Sequence, residues 1–346
     1  MNTRLLSMVA AVFTCWLPLG AQAASPVHEA EFVKIGGIEQ WITITGEDSA
    51  NPVLLFLHGG PGAAETPSAE MEFSGWDKDF TVVQWDQRGA GRTFGKTGPA
   101  IEPTMTIDRM TQDGIEVATY LSGHLHKKKI ILVGASWGSI LGTHMVHARP
   151  DLFSAYVGMA QVVSMQKIIA ASYQRTLAMA RAANDTQAIT ELTALGPPPW
   201  NVLSAFGKMR KWEQPDQKKL ETAPHFVDSV APAYASAPER AQWAAAQDFN
   251  WVHWIGLKMD GPLMQDDLVN LGPDFSMPVF IIQGEVDLTA PVETARAYFD
   301  SIKAPRKTFI IAPGTGHAPT VPIMSLTHKI LLEQVRPLAV AAEKQQ

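Results

Sequence analysis

The sequence predicts an α/β fold, with helices on both faces of a mostly parallel sheet and a helical cap inserted into the chain. Short apolar runs recur without alternation, which is typical of parallel strands buried on both faces. Helical stretches lie between these runs, and this strand–helix alternation is typical of βαβ units. From residue 162 to residue 273 no strand-like run occurs, and this interruption predicts the cap.

The predicted elements follow in order from residue 31. Two runs, residues 32–35 and 40–45, are joined by Gly36-Gly37 and predict a β-hairpin, because the second run alternates and two glycines favour a tight turn. Apolar runs predict strands at residues 53–57, 81–85, 130–133, 279–282 and 308–311. Helices are predicted at residues 106–125 and 139–148, and within the cap at residues 166–183 and 185–195.

The composition limits the class of protein. The chain has 346 residues, a net charge of −6, 46% hydrophobic residues and 18% charged residues. This balance excludes a disordered chain and a small disulfide-stapled scaffold. The mild excess of acidic residues argues against nucleic acid or an anionic membrane surface as a partner, since both select clustered Lys and Arg. Composition leaves the oligomeric state open.

The first residues of the chain predict a secretory signal peptide. Arg4 precedes an apolar stretch at residues 5–19, and Ala21-Gln22-Ala23 is a small-x-small cleavage site. Cleavage after Ala23 would remove Cys15, the single cysteine, which suits an oxidising compartment. An uncleaved anchor helix is the alternative interpretation.

These observations predict three domains and a location. The predicted domains are a signal peptide at residues 1–23, a core at residues 24–161 and 274–346, and a helical cap at residues 162–273. We expect a periplasmic or secreted protein that does not contact the membrane once the signal is removed.

The segment after the apolar run at residues 130–133 predicts a nucleophile. Residues 134–138 read Gly-Ala-Ser-Trp-Gly and match G-x-S-x-G, between a predicted strand and a predicted helix. A sharp strand-to-helix turn in this context presents the serine hydroxyl at the carboxyl edge of the sheet. We therefore expect Ser136 to be a nucleophile, with a structural serine as the alternative.

Two later loops predict the partners of this serine. In this topology the acid and then the histidine follow the nucleophile along the chain. Asp287 follows the predicted strand at residues 279–282, and His317 lies on a Gly-rich loop after the strand at residues 308–311. We expect His317 to be the base and Asp287 to orient it. His328 is the other histidine after the cap, and it is predicted on the surface of an amphipathic helix.

The loop that follows residues 53–57 predicts an oxyanion hole. Residues 58–62 read His-Gly-Gly-Pro-Gly, and glycines there allow backbone N–H groups to turn toward a developing oxyanion. We expect the N–H of Gly60, with Gly59 as the alternative, and the N–H of Trp137 to be the donors. His58 is predicted to brace the loop. A phosphate-binding role is disfavoured, since no Gly-Lys-Ser/Thr follows.

Together, three motifs carry a family resemblance. The HGGPG motif, DQRGAGRT at residues 86–93 and GASWGS at residues 134–139 resemble the proline iminopeptidase family of α/β-hydrolases. The likeness covers residues 31–160 and 275–335. It implies an α/β-hydrolase fold and release of an N-terminal proline, and it implies that Asp86, Arg88 and Arg92 are structural supports.

The chain also departs from that family. The family writes the acid turn as Gly-Arg-Tyr-Asp, whereas residues 284–287 read Gly-Glu-Val-Asp, and its usual Glu-bearing cap sequence is absent. In that family, carboxylates of the cap hold the substrate amine. The candidates in this chain are Glu191, Glu213, Glu221, Glu239 and Asp248. The alternative interpretation is that each is a solvated charge on a helix. Trp243, Trp251 and Trp254 fall at helical spacing and predict a substrate pocket, with core packing as the alternative.

The resulting hypothesis is a serine hydrolase for a small ester, amide or short peptide, with no cofactor and no metal. An aminopeptidase is the leading assignment by resemblance, and a carboxylesterase, lactonase or amidase on the same residues is the alternative. A binding protein on a hydrolase scaffold is the remote alternative, since such proteins usually lose a member of the triad. Haloalkane dehalogenases and epoxide hydrolases are disfavoured, because they need a carboxylate at the position of Ser136.

Overall fold

Eight strands form one sheet in the computed structural model, which describes residues 25–227 and 230–344. The strands are β1 (Val27–Ile35), β2 (Ile38–Gly46), β3 (Val53–Leu57), β4 (Thr81–Trp85), β5 (Ile130–Ala135), β6 (Phe153–Met159), β7 (Val279–Gly284) and β8 (Lys307–Ala312). The signal peptide predicted at residues 1–23 lies outside the described residues.

Twelve α-helices accompany the strands within the same described ranges. They are α1 (Ala69–Glu72), α2 (Gly91–Thr97), α3 (Ile107–His124), α4 (Trp137–Ala148), α5 (Met165–Ala182), α6 (Thr186–Leu195), α7 (Leu203–Leu220), α8 (Ala237–Ile255), α9 (Pro262–Gln265), α10 (Val292–Ser301), α11 (Val321–Ile330) and α12 (Arg336–Lys344). Short 3₁₀ turns and one π-helical turn, residues 331–335, connect some of them.

The strand order of the sheet is β1-β2-β4-β3-β5-β6-β7-β8. The hairpin β1–β2 and the pair β2–β4 are antiparallel, whereas all the other neighbours run parallel. The carboxyl ends of β3, β5, β7 and β8 therefore lie at one edge of the sheet, where parallel α/β folds bind their ligands. The predicted fold, an α/β-hydrolase sheet with helices on both faces, is confirmed.

The strand β6 is missing from the sequence-based prediction. All seven of its residues are buried between β5 and β7. Ser154, Ala155 and Gly158 interrupt its apolar character, so that its short run does not stand out from a loop. Burial on both faces makes this segment a strand.

The core is divided between the two faces of the sheet. In β3, Leu55 and Leu57 belong to the cluster that packs on α3 and α4, while Leu54 and Phe56 face the cluster that includes residues of α11 and α12. Every residue of β3 is buried, which explains its apolar run without alternation.

The segment between β6 and β7 contains α5 to α9 and, in its described residues, no strand beyond an isolated bridge from His225 to Thr320. We call residues 162–273 the cap segment. Its helices α5, α7 and α8 contact the core around the carboxyl edge of the sheet. No helix in the described ranges has both the length and the apolar character required to cross a bilayer.

Candidate active site

Ser136 lies at the sharp turn between β5 and α4. Its backbone has φ 52° and ψ −117°, a conformation that is costly for a residue with a Cβ atom. A Cβ on Gly134 would lie 2.3 Å from the carbonyl oxygen of Gly138, and one on Gly138 would lie 2.1 Å from that of Leu57. The two glycines of the motif therefore allow the strand and helix to approach closely enough to expose Ser136.

The three predicted catalytic side chains meet at the carboxyl edge of the sheet. His317 Nε2 lies 2.9 Å from Ser136 Oγ, and His317 Nδ1 lies 2.8 Å from Asp287 Oδ2. Asp287 is fully buried, and its carboxylate also accepts hydrogen bonds from Ala290 N at 2.8 Å and Gln283 Nε2 at 3.3 Å. Because a carboxylate only accepts, Nδ1 of His317 carries a proton, and Nε2 is free to accept the serine proton.

The environment of His317 adjusts its basicity. Burial lowers the pKa of His317, but the negative charge of Asp287 and its hydrogen bond outweigh burial and raise the pKa above its usual 6.5. A base with a raised pKa accepts a proton more readily, provided that it is neutral at the working pH.

The predicted oxyanion loop runs beside the serine. A Cβ on Gly59 would lie 3.2 Å from the Cβ of Ser136, and Gly60 has φ 110°. Trp137 is the first residue of α4, so its N–H belongs to the helix-terminal donors that have no partner within the helix. Gly59, Gly60 and Trp137 all line the cavity in front of Ser136.

His58 braces this loop, as the sequence predicts. Its Nδ1 donates to Gly59 O at 2.9 Å, and its Nε2 accepts from Gln87 N at 3.3 Å. Burial lowers the pKa of His58 to about 4, which keeps the ring neutral. The side chain of Gln87 in turn accepts from Trp137 Nε1 at 2.9 Å, so the loop and the start of α4 are tied together.

The DQRG stretch supports the same loop. Asp86 is buried and accepts from Thr66 Oγ1 and from Arg92 N, both at 2.7 Å, and burial raises the pKa of Asp86 to about 7. Arg88 forms a buried ion pair with Asp113 at 2.7 Å. These contacts agree with the structural role that the resemblance implies for Asp86 and Arg88.

Arg92 connects the core to the cap segment. Its guanidinium pairs with Glu239 of α8 at 3.1 Å and lies over the rings of Trp41 and Tyr234. A planar cation enclosed by two rings and a carboxylate is a well-fixed contact. Arg92 thereby has a supporting role, again as the resemblance implies.

A cavity of about 750 Å³ lies in front of Ser136 and His317, between the core and the cap segment. Most of its lining is apolar, and Trp243 and Trp251 are among the lining residues, as predicted. Trp254 is not. It is fully buried, and its ring packs against that of Trp137 with centroids 4.8 Å apart, so the prediction of a pocket residue is wrong at this position. The helix turns Trp254 toward the core.

Among the candidate cap carboxylates, Glu213 and Glu239 line this cavity, and Glu191, Glu221 and Asp248 do not. Glu213 is only 1% exposed. Its Oε1 accepts from Arg210 Nη1 at 2.6 Å and from Thr289 Oγ1 at 2.7 Å, whereas its Oε2 has no hydrogen-bond partner in the described residues. Burial raises the pKa of Glu213 although the charge of Arg210 opposes this. Glu213 therefore retains an unsatisfied acceptor, and this oxygen is itself buried.

Two further carboxyl groups line the cavity and were not predicted from the sequence. Glu65 and Glu72 both line it, and Ser68 Oγ donates to Glu65 Oε1 at 3.1 Å. Burial and the neighbouring charge of Glu72 raise the pKa of Glu65 well above its usual value. No sequence signal identifies this pair, since the residues lie on a loop and on the four-residue helix α1.

His328 differs from the surface position predicted for it. The side chain is about a quarter exposed, and its ring stacks on Trp76 with centroids 5.1 Å apart. It lies on α11, whereas His317 precedes that helix and reaches the serine. The choice of His317 over His328 therefore agrees with the geometry.

Known proteins resemble this chain in sequence and in fold. Residues 52–320 match the family described as alpha/beta hydrolase fold. The chain is 29% identical over 318 residues to the probable aminopeptidase YbaC of Bacillus subtilis, covering 88% of this chain and 95% of that protein. It is 28% identical over 293 residues to the proline iminopeptidase of Neisseria meningitidis serogroup A, covering 79% and 85% respectively. The crystal structure of proline iminopeptidase from Mycobacterium smegmatis matches with a TM-score of 0.65 and 20% identity, over 91% of this chain and 100% of that one.

Proposed function

Because the chain belongs to the α/β hydrolase fold family, we propose that it is a serine hydrolase that works through an acyl-enzyme. The observation that carries this proposal is the contact of His317 Nε2 with Ser136 Oγ at 2.9 Å, while Nδ1 faces Asp287 at 2.8 Å. A serine hydroxyl becomes an effective nucleophile when a neighbouring base accepts its proton and a carboxylate holds that base in the required tautomer.

The reaction has two halves. Ser136 Oγ bonds to the substrate carbonyl carbon while His317 accepts the hydroxyl proton, and backbone N–H groups of Trp137 and of Gly60, with Gly59 as the alternative, stabilise the oxyanion. His317 then donates that proton to the leaving group as its bond to carbon breaks. In the second half, water loses a proton to His317 and attacks the acyl-enzyme, and Ser136 recovers its proton as the acid departs.

The substrate we propose is a short peptide or amide with a free amino terminus. Proteins similar to this chain are named aminopeptidase or proline iminopeptidase. Glu213 lines the cavity, and its buried Oε2 has no partner in the described residues. A protonated amine is a donor that satisfies such an oxygen. Thr289, which contacts Glu213, lies two residues after Asp287, so the amine site is next to the reacting groups.

An esterase or other amidase on the same residues is the second candidate. It is favoured by the mostly apolar lining of the cavity, to which Trp243 and Trp251 contribute. Such a surface binds an acyl chain or a ring without needing an amine. The same fold carries many hydrolase activities, so that the cap decides between them.

A pair of substrates separates the two candidates. We expect a prolyl-arylamide to be cleaved, and Glu213→Gln to raise its KM about tenfold, the effect of losing one charge-assisted hydrogen bond, with little change for a short-chain aryl ester. Glu191→Gln is the matched control, because Glu191 pairs with Lys211 at the surface, outside the cavity. Absent proline release together with rapid ester cleavage would overturn the aminopeptidase assignment.

A covalent probe tests the serine mechanism itself. A fluorophosphonate should label the wild type and not the Ser136→Ala variant, because the probe bonds to an activated serine oxygen. A wild type that stays unlabelled would favour the remote alternative, a binding protein on a hydrolase scaffold.

Export from the cytoplasm is part of the proposal. It rests on the residue pattern of positions 1–23, with cleavage after Ala23. Sequencing the amino terminus of the protein purified from its own cells should give Ala24 as the first residue. Recovery of a chain that retains residues 1–23 would contradict cleavage.

A further inference from the structure

The loop that carries Asp287 is held by the cap segment as well as by the core. We call residues 286–290 the acid loop. Ser172 Oγ of α5 donates to Leu288 O, and Arg175 Nη1 of the same helix donates to Asp287 O at 3.1 Å. Backbone carbonyl groups of the acid loop thus accept hydrogen bonds from cap side chains, whereas the Asp287 carboxylate faces the core and His317.

One cap side chain forms hydrogen bonds with this loop on both sides of Asp287. Gln217, in the last turn of α7, donates from Nε2 to Val286 O at 2.9 Å and accepts at Oε1 from Leu288 N at 2.6 Å. The two backbone groups belong to the residues immediately before and after Asp287. The side-chain amide supplies both the donor and the acceptor, whereas a carboxylate lacks the donor and a methionine has no donor and only a weakly accepting sulfur.

The same amide also lies against the loop of His317. A Cβ on Gly316, the residue before His317, would lie 2.1 Å from Gln217 Nε2. The glycine therefore permits Gln217 to sit between the acid loop and the base loop. Thr222 N and Ala223 N, just beyond α7, donate to Gly314 O at 3.0 Å and 3.1 Å, so the end of this helix contacts both loops.

We infer that Gln217 is a positioning residue for the Asp287–His317 pair, acting through the backbone of the acid loop. The inference rests on the proposed serine mechanism. With the flanking peptide groups held by one amide, the Asp287 carboxylate is held at hydrogen-bond distance from Nδ1 of His317. Displacement of a reacting group by about 1 Å is enough to cost roughly 100-fold in rate.

Two variants of Gln217 and one control test this role. Gln217→Met keeps the length of the side chain and removes both hydrogen bonds to the acid loop, together with the one from Nε2 to Glu221 Oε1 at 3.2 Å. Gln217→Glu keeps the acceptor for Leu288 N, loses the donor and brings a second carboxylate beside Glu221. Gln214→Met is the control, because Gln214 lies on the same helix, is exposed and makes no hydrogen bond to the acid loop in the described residues. Aryl-ester hydrolysis, fluorophosphonate labelling rates and thermal unfolding are measured for all three.

We expect Gln217→Met to lower kcat by about tenfold or more with little change in KM. Its acid limb in the pH profile of kcat/KM should move to lower pH, because His317 loses part of the influence of Asp287 that raises its pKa. A loss of stability alone would not move this limb. If the Met variant does not fold, a lowered kcat in folded Gln217→Glu supports the inference in its place.

Failure of the inference differs from failure of the proposed function. A wild type that the fluorophosphonate does not label removes the serine mechanism. The positioning role is overturned, and the serine mechanism stays in place, if the wild type is labelled but a Gln217 variant behaves like the control. In that case Gln217→Met, or Gln217→Glu in its place, has the same kcat and the same acid limb as Gln214→Met.

Discussion

Nε2 of His317 lies 2.9 Å from Oγ of Ser136, although 181 residues separate them along the chain. The contact exists because β5 and β8 run parallel in the same sheet, so that the loops at their carboxyl ends meet at one edge. Asp287 follows β7 at the same edge. The ends of three strands of one sheet thus bring the three side chains together.

Replacing either member of the contact should abolish turnover. We expect Ser136→Ala and His317→Ala each to lower kcat on the order of 10⁴–10⁶-fold, because such residues act as a unit. Steady-state hydrolysis of an aryl ester measures this. Ser301→Ala, at the end of α10, is the control, since among the described residues its hydroxyl bonds only Tyr298 O. A Ser136→Ala variant with more than a few per cent of wild-type kcat would exclude it as the nucleophile.

Activity should depend on pH through His317. The imidazole must be neutral to accept the serine proton, and its pKa lies above 6.5. We therefore expect kcat/KM to decrease as the pH falls through that raised pKa. Asp287→Asn removes the charge that raises the pKa, so the acid limb should move to lower pH while kcat falls by roughly 10⁴-fold.

The pH dependence of ester hydrolysis can contradict this role of His317. Rates of ester hydrolysis are measured from pH 5 to 9 for the wild type and the Asn variant. A flat wild-type profile between pH 5 and 8, or an acid limb that stays in place in the variant, contradicts the role of His317 as the base under the influence of Asp287.

The backbone of Ser136 should lower the stability of the fold. Its φ of 52° with ψ of −117° costs a residue with a Cβ atom of order 1–3 kcal/mol. Glycine avoids this strain in the folded state, but part of the gain is offset because a glycine loses more conformational entropy on folding. We expect Ser136→Gly to be more stable than Ser136→Ala by about 1 kcal/mol. Urea unfolding of these two inactive variants measures the difference, and equal midpoints would show that the turn is unstrained.

Trp243 and Trp254 lie on one helix but should respond differently to truncation. Trp254→Ala removes a fully buried ring that packs on Trp137, and it should cost about 3–5 kcal/mol of unfolding free energy. Trp243 is 36% exposed and lines the cavity. Trp243→Ala should cost about 1 kcal/mol and change the preference for ester chain length. Similar stability losses in both variants would contradict this assignment.

His58 should make the stability of the fold depend on pH. Its pKa is about 4 in the folded protein against 6.5 normally, so the unfolded chain binds more protons between these values. Its contribution therefore falls by about 3 kcal/mol as the pH decreases through this window. Asp86, with a raised pKa of about 7, contributes in the opposite sense, and the wild-type profile alone does not separate the two groups.

The comparison of His58→Gln with the wild type isolates the histidine. The glutamine side chain does not titrate, so the destabilisation caused by the substitution should be largest near pH 7 and smaller at pH 4.5. Urea unfolding at both pH values provides the measurement. A destabilisation that is constant between them would mean that His58 titrates normally in the folded state.

The sequence predicted the parts of the molecule that depend on local pattern. The strand at residues 53–57 and the one at residues 81–85 have the predicted bounds, because each is apolar throughout most of its length and buried. The resemblance to proline iminopeptidase-like hydrolases, drawn from three motifs, is confirmed by the family match and by the similar proteins. Chain order and strand-end position were enough to select His317 and Asp287 from other candidates.

Features that depend on packing were out of reach. Trp254 faces the core and Trp251 the cavity although both lie on α8, and helical spacing does not say which face meets which neighbour. The sequence does not separate Glu213 from the other four candidate carboxylates, whereas the structure places Glu213 and Glu239 at the cavity and leaves Glu213 Oε2 without a partner in the described residues. Glu65 and Glu72 come together from a loop and a single helical turn, for which no periodic pattern exists.

Glu213 and Gln217 are four residues apart on α7, and therefore one turn apart on the same side of the helix. Glu213 lines the cavity, and Gln217 forms hydrogen bonds with the loop of Asp287. Exchange of this helix for that of a relative that accepts other substrates would consequently alter selectivity and turnover together. Chimeras built to redirect the enzyme should transplant α7 only as far as Glu213 and leave its final turn, which carries Gln217, untouched.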